Sequence, residues 1–143
     1  MSTPFHFTFE KDWRHAPLAF WVHLPALDCA GVFEPPAPRQ IPHKGYPMLR
    51  IQFDRHELQF STPQQLDHFI QILSSKPLPT TLQLSARRGL AVGPNGHWLS
   101  RLPATLKAPR KREKLVAALR SVRGAAVGAG LVPSFKLPDT LLF

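Results

Sequence analysis

Thr62-Pro63-Gln64-Gln65-Leu66-Asp67-His68-Phe69-Ile70-Gln71-Ile72-Leu73 is the stretch that decides the fold class of this chain. Threonine is a favoured N-cap because its hydroxyl accepts an otherwise orphaned amide of the first helical turn. Proline suits the first helical position, where a missing N–H costs nothing. Gln65 follows Thr62 at the capping-box spacing. Leu66, Phe69, Ile70 and Leu73 then recur at i, i+3, i+4 and i+7, the apolar stripe of a helix over residues 62–74.

Such a stripe needs a surface to cover, and the residues before it supply one. Between Met48 and Phe53 the pattern alternates, with Leu49, Ile51 and Phe53 on one side. Asp54 and Arg55 make a polar reversal, and Leu58 and Phe60 return on the same side. Alternation of this kind marks half-buried strands, so the helix is expected to pack on a hairpin. Phe5, Phe7 and Phe9 alternate with His6, Thr8 and Glu10 and predict a further strand with three rings on one face. Residues 18–24 are apolar on both faces and read as a second, central strand. Residues 35–47 hold five prolines and read as an extended connector, because proline lacks the donor that sheets and helices need.

Downstream, residues 81–85 read as a short strand. Gly93, Pro94, Asn95 and Gly96 form a strong turn that would join residues 90–92 to 97–99 as another hairpin. A second helix is expected over residues 109–123. Leu115, Val116, Leu119 and Val122 are its buried stripe, with Gly124 at a left-handed C-cap and Arg120 and Arg123 in the last turn. Residues 124–130 look small and flexible, and residues 131–143 form an extended tail whose apolar end needs cover. The expected class is α+β: one domain spanning 1–143, mainly an antiparallel sheet packed by the capped helix, with a second, basic helix. At 143 residues such a chain buries about 68–70% of its unfolded surface and needs no staple.

Several classes drop out early. Cys29 is the only cysteine, so no internal disulfide forms. The first ten residues lack the basic and apolar regions of a secretory signal, and no window reaches a membrane span. A cytoplasmic location, with no membrane partner, is the expectation.

Charge is divided unevenly. Residues 1–70 carry six Lys/Arg and seven Asp/Glu, whereas residues 71–143 carry twelve Lys/Arg and only Glu113 and Asp139. The whole net charge of +9 therefore belongs to the second half, an asymmetry that points to a polyanionic partner. Arginine outnumbers lysine eleven to seven, and guanidinium forks grip phosphate bidentately. Lys107, Arg110, Lys111, Arg112 and Lys114 crowd the start of the second helix. That end of a helix already carries about half a positive charge, so the cluster is destabilising unless an anion neutralises it. Free amides at a helix start also bind phosphate. Arg87, Arg88 and Arg101 flank the Gly93–Gly96 turn and extend the same set, with Trp98 as a residue that could stack a base.

Catalytic patterns are weak. Asp54, His56 and Glu57 gather three potential ligands on one turn, yet no helical His pair, cysteine pair, phosphate loop or nucleophile elbow is present. His6 and His23 read as polar-face or hydrogen-bonded positions. The reading is a non-enzymatic nucleic-acid-binding module, DNA or RNA, with no cofactor and no metal. On duplex DNA five neutralised phosphates would give a salt slope of about −4.5. The alternatives are a protein–protein adaptor or homo-oligomer subunit, using the N-terminal strand or the tail and an acidic partner, and a metal-dependent hydrolase at Asp54, His56 and Glu57.

Overall fold

The computed structural model describes residues 3–16, 18–25, 33–34, 38–75, 102–128 and 134–137. Three strands, β1 (Phe5–Glu10), β4 (Tyr46–Phe53) and β5 (His56–Phe60), form an antiparallel sheet in the order β1-β4-β5. Between them in the chain lie a helical turn, α1 (Ala19–Val22), and two short paired strands, β2 (Leu24–Pro25) and β3 (Phe33–Glu34). After the sheet come α2 (Pro63–Ser74), the single turn α3 (Ala104–Lys107) and the long helix α4 (Pro109–Ala126). Strands β6 (Val127–Gly128) and β7 (Ser134–Phe135) pair at the end. The fold is α+β, as expected.

Register explains the core. Phe5 stands opposite Ile51 and Phe7 opposite Leu49, while Phe60 pairs Leu49 and Leu58 pairs Ile51 across β5. With a side-chain period of two, all of these share the inner face. On that face α2 lies with Leu66, Phe69 and Leu73 fully buried, and the Phe60 and Phe69 rings meet edge-on at 5.4 Å. Leu115, Val116, Leu119 and Val122 of α4 join the same core, which holds the two helices together.

The turn between β4 and β5 works without glycine because Asp54 and Arg55 both take positive φ, 49° and 67°. Two such residues in a two-residue loop match the strand twist. The α2 start is capped as the sequence implies. Thr62 Oγ1 accepts from Gln65 N at 3.3 Å, with Pro63 next in the chain. The Gln65 side chain, however, reaches one residue further back than a capping box does. Its Oε1 accepts from Ser61 N at 3.0 Å and its amide donates to Ser61 Oγ at 2.8 Å.

Five expectations need correction. Residues 18–24 are not a central strand, since residues 19–22 are the helical turn α1 and only Leu24 enters a strand. Val22 N donates to Leu18 O and His23 N to Ala19 O, both at 3.0 Å, and the buried residues Leu18, Ala19 and His23 fit one helical face. The connector ends sooner than 47. Ile41 bridges Gly45 around a tight turn, and Tyr46 and Pro47 already belong to β4. Pro47 is tolerated because β5 reaches only to the Leu49 pair, so the donor it lacks has no acceptor to meet.

Gly124 is not a C-cap. The helix runs on to Ala126, which is fully buried, and Val127 takes the cap position. Arg120 is therefore not in the last turn. Residues 124–128 are helix and then strand instead of a flexible linker. The expected strand 81–85, the turn at Gly93–Gly96 with its hairpin, and residues 138–143 of the tail lie outside the described residues.

A second, smaller core sits on the outer face of the sheet. Trp13, Ala16 and Ala19 cover Met48, which is fully buried although it alternates out of phase with Leu49 and Ile51. Farther along that face Arg50 takes over. Its guanidinium donates to Glu57 Oε1 at 2.6 Å, to Glu10 Oε1 at 2.5 Å and to Thr8 Oγ1 at 2.8 Å.

Candidate nucleic-acid interface

Lys107 ends α3, and Ala108 follows it as the N-cap of α4, with no side chain able to cap. Pro109 occupies the first turn, which contains no acidic residue. The first intrahelical bond runs from Arg112 N to Ala108 O at 2.7 Å, so the amides of Arg110 and Lys111 precede the helical ladder and face outward from its end. Arg112 Nη1 donates to the Lys107 carbonyl at 3.4 Å. That contact links the end of α3 to the first turns of α4.

At about 100° per residue the cations do not fall on one stripe. Arg110 and Lys114 lie on the exposed side of α4. Lys111 turns toward the β4–β5 turn, where its Nζ lies 3.3 Å from Asp54 Oδ2. Arg112 turns the other way, toward the C-terminal end of α2. The arrangement is a collar around the end of the helix. One member, Lys111, is matched by an acid. No carboxylate among the described residues pairs with Lys107, Arg110, Arg112 or Lys114. Arg87, Arg88, Trp98 and Arg101 lie outside the described residues.

Farther along α4, Arg123 forms a two-pronged ion pair with Asp67 of α2, which raises the arginine pKa above its ordinary value. Asp54 and Asp67 thus fasten opposite ends of the basic helix to the rest of the fold. Sequence reading assigned Arg123 to the helix dipole and missed this pairing, because residues so distant in sequence carry no shared local pattern. It also missed Arg120, which lines a groove beside α2 with Arg112, Glu113, Leu73, Ser74, Val116 and Ala117. The eight-residue spacing of Arg112 and Arg120 was the available signal, since its offset of about 80° still falls within one broad helix face.

The histidine-bearing turn is occupied by other duties. Asp54 faces Lys111, and Glu57 is held by Arg50, Gln52 and Gln59, with Arg50 chiefly pulling its pKa below the usual carboxylate range. Among the described residues no three His, Cys, Asp or Glu side chains gather in a way that could hold a metal ion. His23 is fully buried and hydrogen-bonded to Thr62, its Nε2 2.8 Å from Oγ1. Among the described residues no helix is long and apolar enough to cross a membrane. No protein-family model, curated protein or solved structure matches the chain.

Proposed function

We propose that this protein is a non-enzymatic nucleic-acid-binding module that takes phosphates on the collar at the start of α4. The observation that carries the reading is the accumulation of Lys107, Arg110, Arg112 and Lys114 around an uncapped helix start, where Glu113 is the one acid in the same stretch and no carboxylate among the described residues forms an ion pair with any of the four. Like charges beside the positive end of a helix dipole lower stability unless an anion arrives, and phosphate is the anion that exposed amides and guanidinium groups bind together. Contacts of this type give affinity without sequence preference.

Lys111 is already engaged by Asp54, which leaves four cations for phosphate. The salt dependence then becomes log K against log salt of about −3.6 on duplex DNA and about −2.8 on a single strand. Fluorescence anisotropy of labelled oligonucleotides over a salt series measures it. Arg110→Glu with Lys114→Glu should weaken binding strongly while circular dichroism stays unchanged, because both side chains are exposed. Absence of binding at low salt, or affinity untouched by the double reversal, refutes the proposal. A polyglutamate competitor that binds more tightly than either nucleic acid would favour an acidic protein partner instead.

A further inference from the structure

The groove between the end of α2 and the flank of α4 has a volume of about 320 Å³, near the lower end of the roughly 300–1,000 Å³ typical of small-molecule clefts. Its floor is apolar, made by Leu73, Val116 and Ala117, and its polar lining is Ser74, Arg112, Glu113 and Arg120, in which the two guanidinium groups outnumber the one carboxylate. Phosphate alone has no use for an apolar floor. A ligand matching both features carries negative charge on a backbone and flat, weakly polar surface on its side groups. Single-stranded nucleic acid has that chemistry, whereas a duplex keeps its base faces stacked out of reach.

Geometry supports the match. Arg112 and Arg120 are separated along the helix by about 12 Å, a span that an extended strand crosses in a couple of nucleotides. Guanidinium planes also stack on bases and contribute cation–π attraction. Arg112 belongs to both the collar and the groove, so a strand seated on the collar reaches the groove directly.

We propose that this groove receives one unstacked base of a single-stranded nucleic acid, with the flanking phosphates on Arg112 and Arg120. The inference rests on the nucleic-acid reading above and adds strand selectivity to it. Base stacking against a protein surface is sequence-tolerant, so the preference is for an exposed base and not for a particular one.

The test compares four probes by anisotropy at one low salt concentration: a short oligothymidylate, an abasic oligomer of equal length and charge, a duplex, and a glutamate peptide. Oligothymidylate should bind about tenfold more tightly than the abasic oligomer. Ala117→Trp fills the groove from an exposed helix position. It should bring that ratio close to one while abasic affinity stays within about twofold. Arg120→Gln should reduce the ratio as well, which keeps the test open if the tryptophan variant fails to fold.

Equal affinity for the thymidine and abasic oligomers, or a duplex bound as tightly as the single strand, overturns the base site and leaves the phosphate collar standing. A glutamate peptide that binds best and is expelled by Ala117→Trp assigns the groove to a protein. Failure of all four probes to bind removes the collar as well.

Discussion

His23 Nε2 lies 2.8 Å from Thr62 Oγ1, so a buried imidazole from the helical-turn region holds the residue that caps α2. Trp13 packs edge-on against the same imidazole, with ring centroids 5.3 Å apart. The cap of the main core helix is thereby tied to the segment that covers the outer face of the sheet. Thr62→Ala removes a cap, costing about 1 kcal/mol. It also leaves a buried ring nitrogen without its hydroxyl partner, costing about 1–3 kcal/mol more. Urea denaturation should report a total loss of about 2–4 kcal/mol. Thr62→Ser should recover most of it, since the hydroxyl returns. A loss no larger than an ordinary cap would show that His23 contributes nothing through this contact.

Asp54 restrains the proposed interface by neutralising Lys111. Asp54→Asn should release that lysine, strengthen oligonucleotide binding at low salt, and steepen the salt slope by up to about 0.9 on duplex DNA. Stability should change by less than about 1 kcal/mol, because the ion pair is partly exposed and such pairs are weak. The turn itself survives, since asparagine accepts the positive φ of 49° at this position. Anisotropy of Asp54→Asn beside the parent decides it, and unchanged or weaker binding would place Lys111 outside the contact.

Gly45 has φ +112°, and a Cβ there would stand 2.6 Å from the backbone oxygen of Glu10. Neither partner is a flexible side chain, so the clash is relieved only by moving β1 or the turn. Gly45→Ala should destabilise the fold by at least about 1–3 kcal/mol. Thermal denaturation checks the value. A loss of a few tenths would mean that β1 is free to shift.

His68 is half-buried on α2, and burial pushes its pKa below the ordinary 6.5. In the window between the lowered folded value and 6.5, the unfolded chain binds more protons than the folded one. Stability is therefore full above pH 6.5 and falls as pH drops through that window. Glu57 adds a second loss at lower pH, because Arg50 holds its carboxylate below the ordinary 4.5. Urea midpoints between pH 8 and pH 5 should decline in the parent. They should stay flatter in His68→Gln, and an equal decline in both would assign the slope elsewhere.

Legibility of the fold followed the range of the interactions. The α2 cap, its stripe and the β4–β5 hairpin were readable because each is set by residues within a turn or two of one another. Residues 18–24 were misread because a run that is apolar all round has no period to separate strand from helix. The hydrogen bonds from Val22 and His23 settle it only in three dimensions. Gly124 misled for a related reason. A glycine signals a stop only where the chain needs a left-handed residue, and burial of Ala126 carries the helix past it. At the collar, charge density was evident from composition. Its distribution around the helix, and the loss of Lys111 to Asp54, depended on tertiary placement.

Pro47 has a consequence for how the sheet ends. Phe53 and His56 flank the two-residue turn as a hydrogen-bonded pair, so in β4 the odd-numbered amides from 49 to 53 point toward β5. Position 47 would be next in that row, past the last residue of β5, and it offers a ring where an amide would invite another strand. The row of donors stops where its natural partner stops. A chain laid along β4 beyond the end of β5 would therefore meet a ring at position 47 in place of a donor, so the ladder cannot be extended there.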